Sequence, residues 1–318
     1  MTVSLDELPI QPAHRLPLRA ETHRWLVTGL WLEEAVGIVG GEPKCCKSFL
    51  ALDLAVAVAS GTACLRHFEV PHPGRVLLYA AEDALHIVRG RLEGICAAAE
   101  CDLQNLDLQV ITAPTLRIDQ PTDRARLQRA VERLQPRLLI LDPFVRLHRI
   151  DENASGEVAP LLAYLRELQR RYALAVLLVH HAKKGGGRIR AGQALRGSSE
   201  FHAWGDSNLY LRRDGDDLSL SVEHRAAASM TPITIELAQR GAALALEVVD
   251  RRDPATPPPS SLDERITATL AGADAALPFA ELRACCRVRA TTLYERLAVL
   301  AETGRVVKTD DGYRLADG

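Results

Sequence analysis

A chain of 318 residues has room for about two domains, and its 47% apolar and 25% charged residues suit a globular protein. The formal net charge is −2, so no global basic field draws the chain to nucleic acid or membrane, and any DNA contact must come from a local basic patch. The seven cysteines are odd in number and contain no CxxC pair, and no apolar run approaches the ~18 residues of a membrane helix; this argues against a disulfide framework, a zinc site and a membrane partner, and predicts a reducing, cytoplasmic setting.

Residues 1–25 read as an irregular leader, broken by Pro9, Pro12 and Pro17 and lacking the apolar stretch of an export signal. Short apolar runs then alternate with helical patterns. The runs at 35–39, 75–81, 106–111, 137–141 and 174–179 predict strands, and 48–60, 84–100, 122–134 and 155–172 predict helices. Such alternation implies an α/β fold with a mostly parallel sheet covered by helices. The near-continuous Leu-Leu-Ile-Leu and Ala-Val-Leu-Leu-Val runs suit strands buried on both faces. Past residue 200 the rhythm shortens, and strands at 208–213, 218–222, 232–237 and 244–249 predict an antiparallel extension. A proline-dense stretch at 251–261 reads as a stiff linker, separating a domain at 26–250 from one at 262–318.

Three strand ends, and the loop that follows a fourth, carry chemistry. Gly41, Glu42, Pro43, Lys44, Cys45, Cys46, Lys47, Ser48 and Phe49 follow a predicted strand and open a helix, the setting a Walker A loop needs. Backbone N–H groups and the helix N-terminus there form an anion cradle for ATP, with Lys47 on the β- and γ-phosphates and Ser48 on Mg²⁺. The pattern calls for glycine where Cys46 stands, and a Cβ at that turn crowds the phosphate. Asp142 ends the Leu-Leu-Ile-Leu strand, where a carboxylate can hold Mg²⁺ or simply terminate the strand. Glu82 ends the neighbouring strand, where it can activate water or open a helix beside Asp83. His180 and His181 end a third strand, where a polar side chain can sense the γ-phosphate.

These strand ends together are similar to a RecA-type ATPase site, and the chain resembles the RepA-type plasmid replicative helicases of that superfamily. The resemblance rests on residues 41–48, Ala80-Ala-Glu-Asp83, Leu141-Asp-Pro-Phe-Val-Arg-Leu-His148, Asp151-Glu-Asn-Ala-Ser-Gly156, Val179-His-His-Ala-Lys-Lys184 and Arg196-Gly-Ser-Ser199, and covers roughly 26–250. It implies a RecA-like core, Glu82 as catalytic glutamate, Asp142 as Walker B aspartate and His180 as γ-phosphate sensor. It also implies a homo-oligomer, a hexameric ring with ATP between subunits and an arginine supplied by the neighbour. Arg225, in a strand similar to the finger strand of DnaB-like helicases, is the first choice for that arginine and Arg196 the second; Glu223 stands where those helicases often have a basic residue. The segment with Lys183, Lys184, Arg188 and Arg190 lies where such rings place DNA-facing loops.

From Leu262 onward, helices at 262–271, 279–286 and 291–303 precede a hairpin around Asp310-Asp-Gly. Three helices and a hairpin resemble a winged helix-turn-helix, which would set Thr292, Tyr294 and Arg296 toward a major groove and Arg287 and Arg289 near phosphates. This stretch carries eight basic and nine acidic residues, so DNA and a protein partner both stay open as its target. Three functional classes remain: an ATPase acting on or near DNA, in replication of a plasmid or mobile element or in repair; a nucleotide-dependent adaptor or regulator with slow hydrolysis; and a winged-helix transcription regulator.

Overall fold

The computed structural model describes residues 10–16, 24–181, 200–215, 217–228, 230–240, 243–249, 262–273, 275–286, 288, 290–309 and 311–316. It divides into two compact units, residues 1–250 and 251–318.

The first unit begins with a one-turn 3-10 helix, Ala13–Arg15, and a small hairpin of β1 (Trp25–Val27) and β2 (Trp31–Leu32). The elements of the core then follow as β3 (Val36–Gly41), α1 (Lys47–Ser60), β4 (Val76–Ala80), α2 (Leu85–Ala98), β5 (Leu108–Val110), α3 (Pro121–Leu134), β6 (Leu138–Asp142), α4 (Ser155–Tyr172) and β7 (Ala175–His181). A short α5 (Glu200–Trp204) leads to β8 (Ser207–Asp214), β9 (Asp217–His224), β10 (Ile233–Arg240) and β11 (Ala243–Val248). Nine of these strands form one sheet in the order β11-β10-β9-β8-β3-β7-β6-β4-β5. The strands from β5 to β8 run parallel and the rest add antiparallel hairpins, so the expected mostly parallel sheet with an antiparallel extension is the fold observed.

The pleat divides the core in two. Val39, Leu78, Ile140, Leu177 and Val179 face α1 and α2, while Ile38, Leu77, Leu141, Val176 and Leu178 face α3 and α4. Alternating residues of one strand thus serve opposite layers. The first helix, α1, is apolar on every side, and Leu50, Ala51, Leu54 and Ala55 are at most 1% exposed, as expected of a helix covered all round. By contrast α3 has Pro121 in its first turn and buries only Leu127 and Val131. The chain leaves β3 for β4 on one side of it and leaves β7 for β8 on the other. That makes the C-terminal end of β3 the switch point where open α/β sheets place their ligands.

The second unit contains α6 (Leu262–Ala271), α7 (Phe279–Cys286), α8 (Ala290–Glu302) and a hairpin of β12 (Val306–Thr309) and β13 (Gly312–Leu315). Its own small core joins Ile266, Leu270, Leu282, Leu293, Leu297, Leu300, Val306 and Tyr313. Among the described residues no helix is long and apolar enough to cross a membrane.

Candidate active site

The loop between β3 and α1 is shaped by three unusual backbone positions. Gly41 has φ 155°, and a Cβ on it would meet the Leu211 carbonyl oxygen at 2.4 Å. Lys44 and Cys46 both take left-handed conformations, φ 65° and 63°, which cost a residue with a Cβ about 1 kcal/mol each. Cys46 therefore adopts the turn that glycine would take more cheaply. Its Sγ lies 3.8 Å from the Arg213 guanidinium on β8. Cys45 turns inward, buried, and donates to the Glu42 carbonyl at 2.8 Å. Burial pushes its thiol up, against the opposing pull of Lys47.

Lys47 is 5% exposed, and its ammonium donates to the Glu42 carbonyl at 2.7 Å. Burial lowers its pKa, partly offset by Cys45, Asp142 and Glu82. Asp142 has the mirror problem. Burial raises its carboxyl to about 6, with Asp83 and Glu82 adding to the rise and the Ser48 hydrogen bond and Lys47 opposing it. The site thus holds an ammonium and a carboxylate that are each short of counter-charge. A polyphosphate carrying a divalent cation would supply both. Ser48 and Asp142 are neighbouring hard oxygen donors, so this pair fits Mg²⁺.

Glu82 follows β4, beside Asp142, and its carboxylate is half-exposed; Arg146 donates to it at 3.2 Å. The adjacent Asp83 is tied to Arg91 at 2.5 Å, and that guanidinium also stacks 5.0 Å over Phe49.

The paired histidines separate. The even residues of β7 face α3 and α4, and His180 follows them: it is 2% exposed and packs on Phe201 at 4.3 Å. His181 faces the other layer, where Lys47 depresses its pKa beyond the effect of burial and Glu82 raises it. Sequence reasoning chose His180; the pleat gives His181 the electrostatic neighbourhood of the loop. Arg213, beside Cys46, and Arg146, on Glu82, were not singled out by the sequence. Period-two alternation pointed to His181, and the pairing of Gly41 with Leu211 explains Arg213, but only once β8 is known to lie beside β3.

Arg225, just after β9, donates to the Ala203 carbonyl and lies 3.4 Å from Asp206. In the second unit Arg296 forms a forked pair with Asp263, Nε to Oδ1 at 2.8 Å, while Tyr294 is 65% exposed. Lys183, Lys184, Arg188, Arg190, Arg196, Arg287 and Arg289 lie outside the described residues, as does the linker at 251–261. A cavity of about 630 Å³ between α2 and β5, lined by Leu85, Val88, Leu92, Cys96 and Val110, shares no residue with the phosphate loop.

A family model described as an AAA domain matches residues 4–187, more than half of the chain and all of the loop, Glu82 and Asp142. The chain belongs to the AAA domain family. Among solved structures, this AAA domain protein is similar to a DnaB-like replicative helicase, reported with its interactions with primase, at TM-score 0.52 and 12% identity. That match covers 67% of this chain and 57% of the helicase chain, so the AAA domain protein spans little more than half of that relative. A RadB recombinase aligns at TM-score 0.49 and 16% identity, over 69% of this chain and 92% of that one. The helicase likeness is one of fold, and with the family match it gives this AAA domain a RecA-like P-loop architecture.

Proposed function

We propose that the chain binds ATP with Mg²⁺ at residues 41–48 and hydrolyses it, in a cycle that acts on or near DNA. One observation carries this reading: Lys47 at the start of α1 and Asp142 at the end of β6, of opposite charge and only 5% and 8% exposed, lie within electrostatic reach of each other in one buried site. In this reading Lys47 grips the β- and γ-phosphates, and Ser48 with Asp142 holds Mg²⁺, which neutralises phosphate charge when bound. Glu82 orients a water in line with the γ-phosphate and takes its proton as the new P–O bond forms and the bond to the leaving ADP oxygen breaks. Its half-exposed position and the Arg146 contact suit a base that must meet water. We assign the γ-phosphate contact to His181, since its ring shares the field of Lys47 and Glu82 whereas His180 is buried among aromatic rings.

The domain limits, 26–250 and 262–318, and the finer kinship with RepA-type helicases belong to this proposal. So do assembly into a ring with Arg225 or Arg196 reaching a neighbour's nucleotide, and a winged-helix role for the second unit. DNA would meet Lys183, Lys184, Arg188 and Arg190 on one segment, and Arg289, Tyr294 and Arg296 on the other. The similar solved structure, a DnaB-like replicative helicase, is in keeping with work on DNA. The left-handed Cys46 favours a second reading, a slow ATPase that serves as a nucleotide-dependent regulator. Steady-state phosphate release from the full chain, with Glu82→Gln as control, tests hydrolysis. A rate that drops about 100-fold or more in the variant supports the enzyme, and equal rates contradict it.

A further inference from the structure

Beneath the phosphate site lies a second buried polar group with no part in the chemistry above. His148 follows the turn after β6, and His180 is the penultimate residue of β7; their side chains are 2% and 1% exposed. Glu152 stands between them. Its Oε1 lies 3.3 Å from His148 Nε2 and its Oε2 lies 3.5 Å from His180 Nε2, ion-pair distances whose angles fall short of hydrogen bonds. Phe144 and Phe201 wall the group in, at 4.4 Å from His148 and 4.3 Å from His180. Burial pushes the Glu152 carboxyl up, but the two imidazoles outweigh it and hold it at about 2.

The Asp-Glu-Asn-Ala-Ser-Gly motif divides its labour here. Asp151 accepts from the Asn153 backbone N–H and side-chain amide, both at 2.9 Å, and donates its own N–H to Glu157 at 3.0 Å. Those bonds shape the entry to α4 without Glu152, whose side chain reaches inward instead. Its position matters because of where the sheet stops. The β6–β7 ladder ends at Leu141 with Leu178, while β7 runs on to His181 with only β3 beside it. Asp142 and His181, on which the proposed phosphate chemistry depends, both lie beyond that last rung and are paired on their other side only, Asp142 with Ala80 of β4 and His181 with Gly41 of β3. The His148–Glu152–His180 contact spans the two chain segments where backbone pairing no longer does.

We propose that Glu152 is a positioning residue: by holding His148 and His180 on one carboxylate, it clamps the ends of β6 and β7 and so fixes Asp142 and His181 for phosphate transfer. A carboxylate has acceptors only and presents one oxygen to each ring, at ion-pair distance from both Nε2 atoms. An amide at the same place offers one oxygen and cannot serve both rings alike. The clamp rests on the ATPase reading above.

The test uses the full chain and Glu152→Gln, with ATP affinity measured by calorimetry and kcat by phosphate release well below the melting temperature. The loop at 41–48 does not touch Glu152, so ATP affinity should stay within about twofold of wild type while kcat falls roughly tenfold, the scale of a small misplacement of reacting groups. A purely structural role would lower the melting temperature and leave kcat alone. Should Glu152→Gln not fold, His148→Gln removes one partner only and should lower kcat in the same direction, by less. Wild-type kcat in the folded variant overturns the clamp. Wild-type protein that takes up no ATP overturns the ATPase reading instead.

Discussion

Two carboxylates, the buried Asp142 and the partly buried Glu152, lie near the ends of adjacent strands and are shifted in opposite directions. Asp142 is raised to about 6 by burial and by Asp83 and Glu82. Glu152 is carried down to about 2 because two imidazoles answer its charge. The first gains from any cation brought to it, and the second already has its partners within the chain. Burial alone therefore does not mark a functional acid; the charge surrounding it does. The ammonium of Lys47 belongs with Asp142 in this sense, since its own burial is only partly offset by neighbours.

The largest effects should come from the side of Asp142. Lys47→Ala should cut turnover by about 100- to 1,000-fold, as loss of a charge stabiliser in a buried site does, measured by phosphate release at saturating ATP. A smaller loss than that of Glu152→Gln would reverse the ranking of the two sides.

Next come the pH dependences, which should differ in sign. With its folded pKa raised above the ordinary carboxylate value, Asp142 favours its protonated form in the fold, so it costs stability as pH rises from about 4 through about 6. Asp142→Asn should stabilise the nucleotide-free protein above pH 6, by at most about 3 kcal/mol, and do nothing below pH 4. With its folded pKa depressed, Glu152 contributes stability that is present above about pH 4.5 and is lost as pH falls toward 2. Glu152→Gln should destabilise at pH 7, by up to about 3 kcal/mol, and progressively less in acid. Denaturant unfolding at a series of pH values reads both, and matching profiles for the two variants would erase the contrast.

The smallest effect concerns the loop. Cys46→Gly removes the left-handed penalty but adds unfolded-state freedom, for a net gain of about 1 kcal/mol or less by thermal unfolding. Faster phosphate release in that variant would favour the slow-regulator reading of the natural loop, and an unchanged rate would count against it.

The legible parts of the fold were those governed by long periodic patterns. The helix Ser155–Tyr172 was expected with those limits, and the four parallel strands flanking the loop fell within two residues of their places. The hairpin at Trp25–Val27 and Trp31–Leu32 was hidden because strands of two or three residues carry no period to read. At the site, Lys47, Ser48, Glu82 and Asp142 were legible as strand ends followed by turns. His181, to which we assign the γ-phosphate contact, was obscured by its twin, since two adjacent residues on a strand look alike until the pleat assigns their faces. Glu152 was visible as part of a motif but not as a partner, because its contact with His180 joins residues distant in sequence and only the packing of α4 against β7 brings them together.

The central claim is tested most directly by calorimetric titration of the full chain with ATP, with and without Mg²⁺, beside Lys47→Ala. Saturable uptake that weakens without Mg²⁺ and weakens again in the folded variant is the predicted result. No uptake by folded wild-type protein at millimolar ATP, or equal uptake by Lys47→Ala, would contradict it.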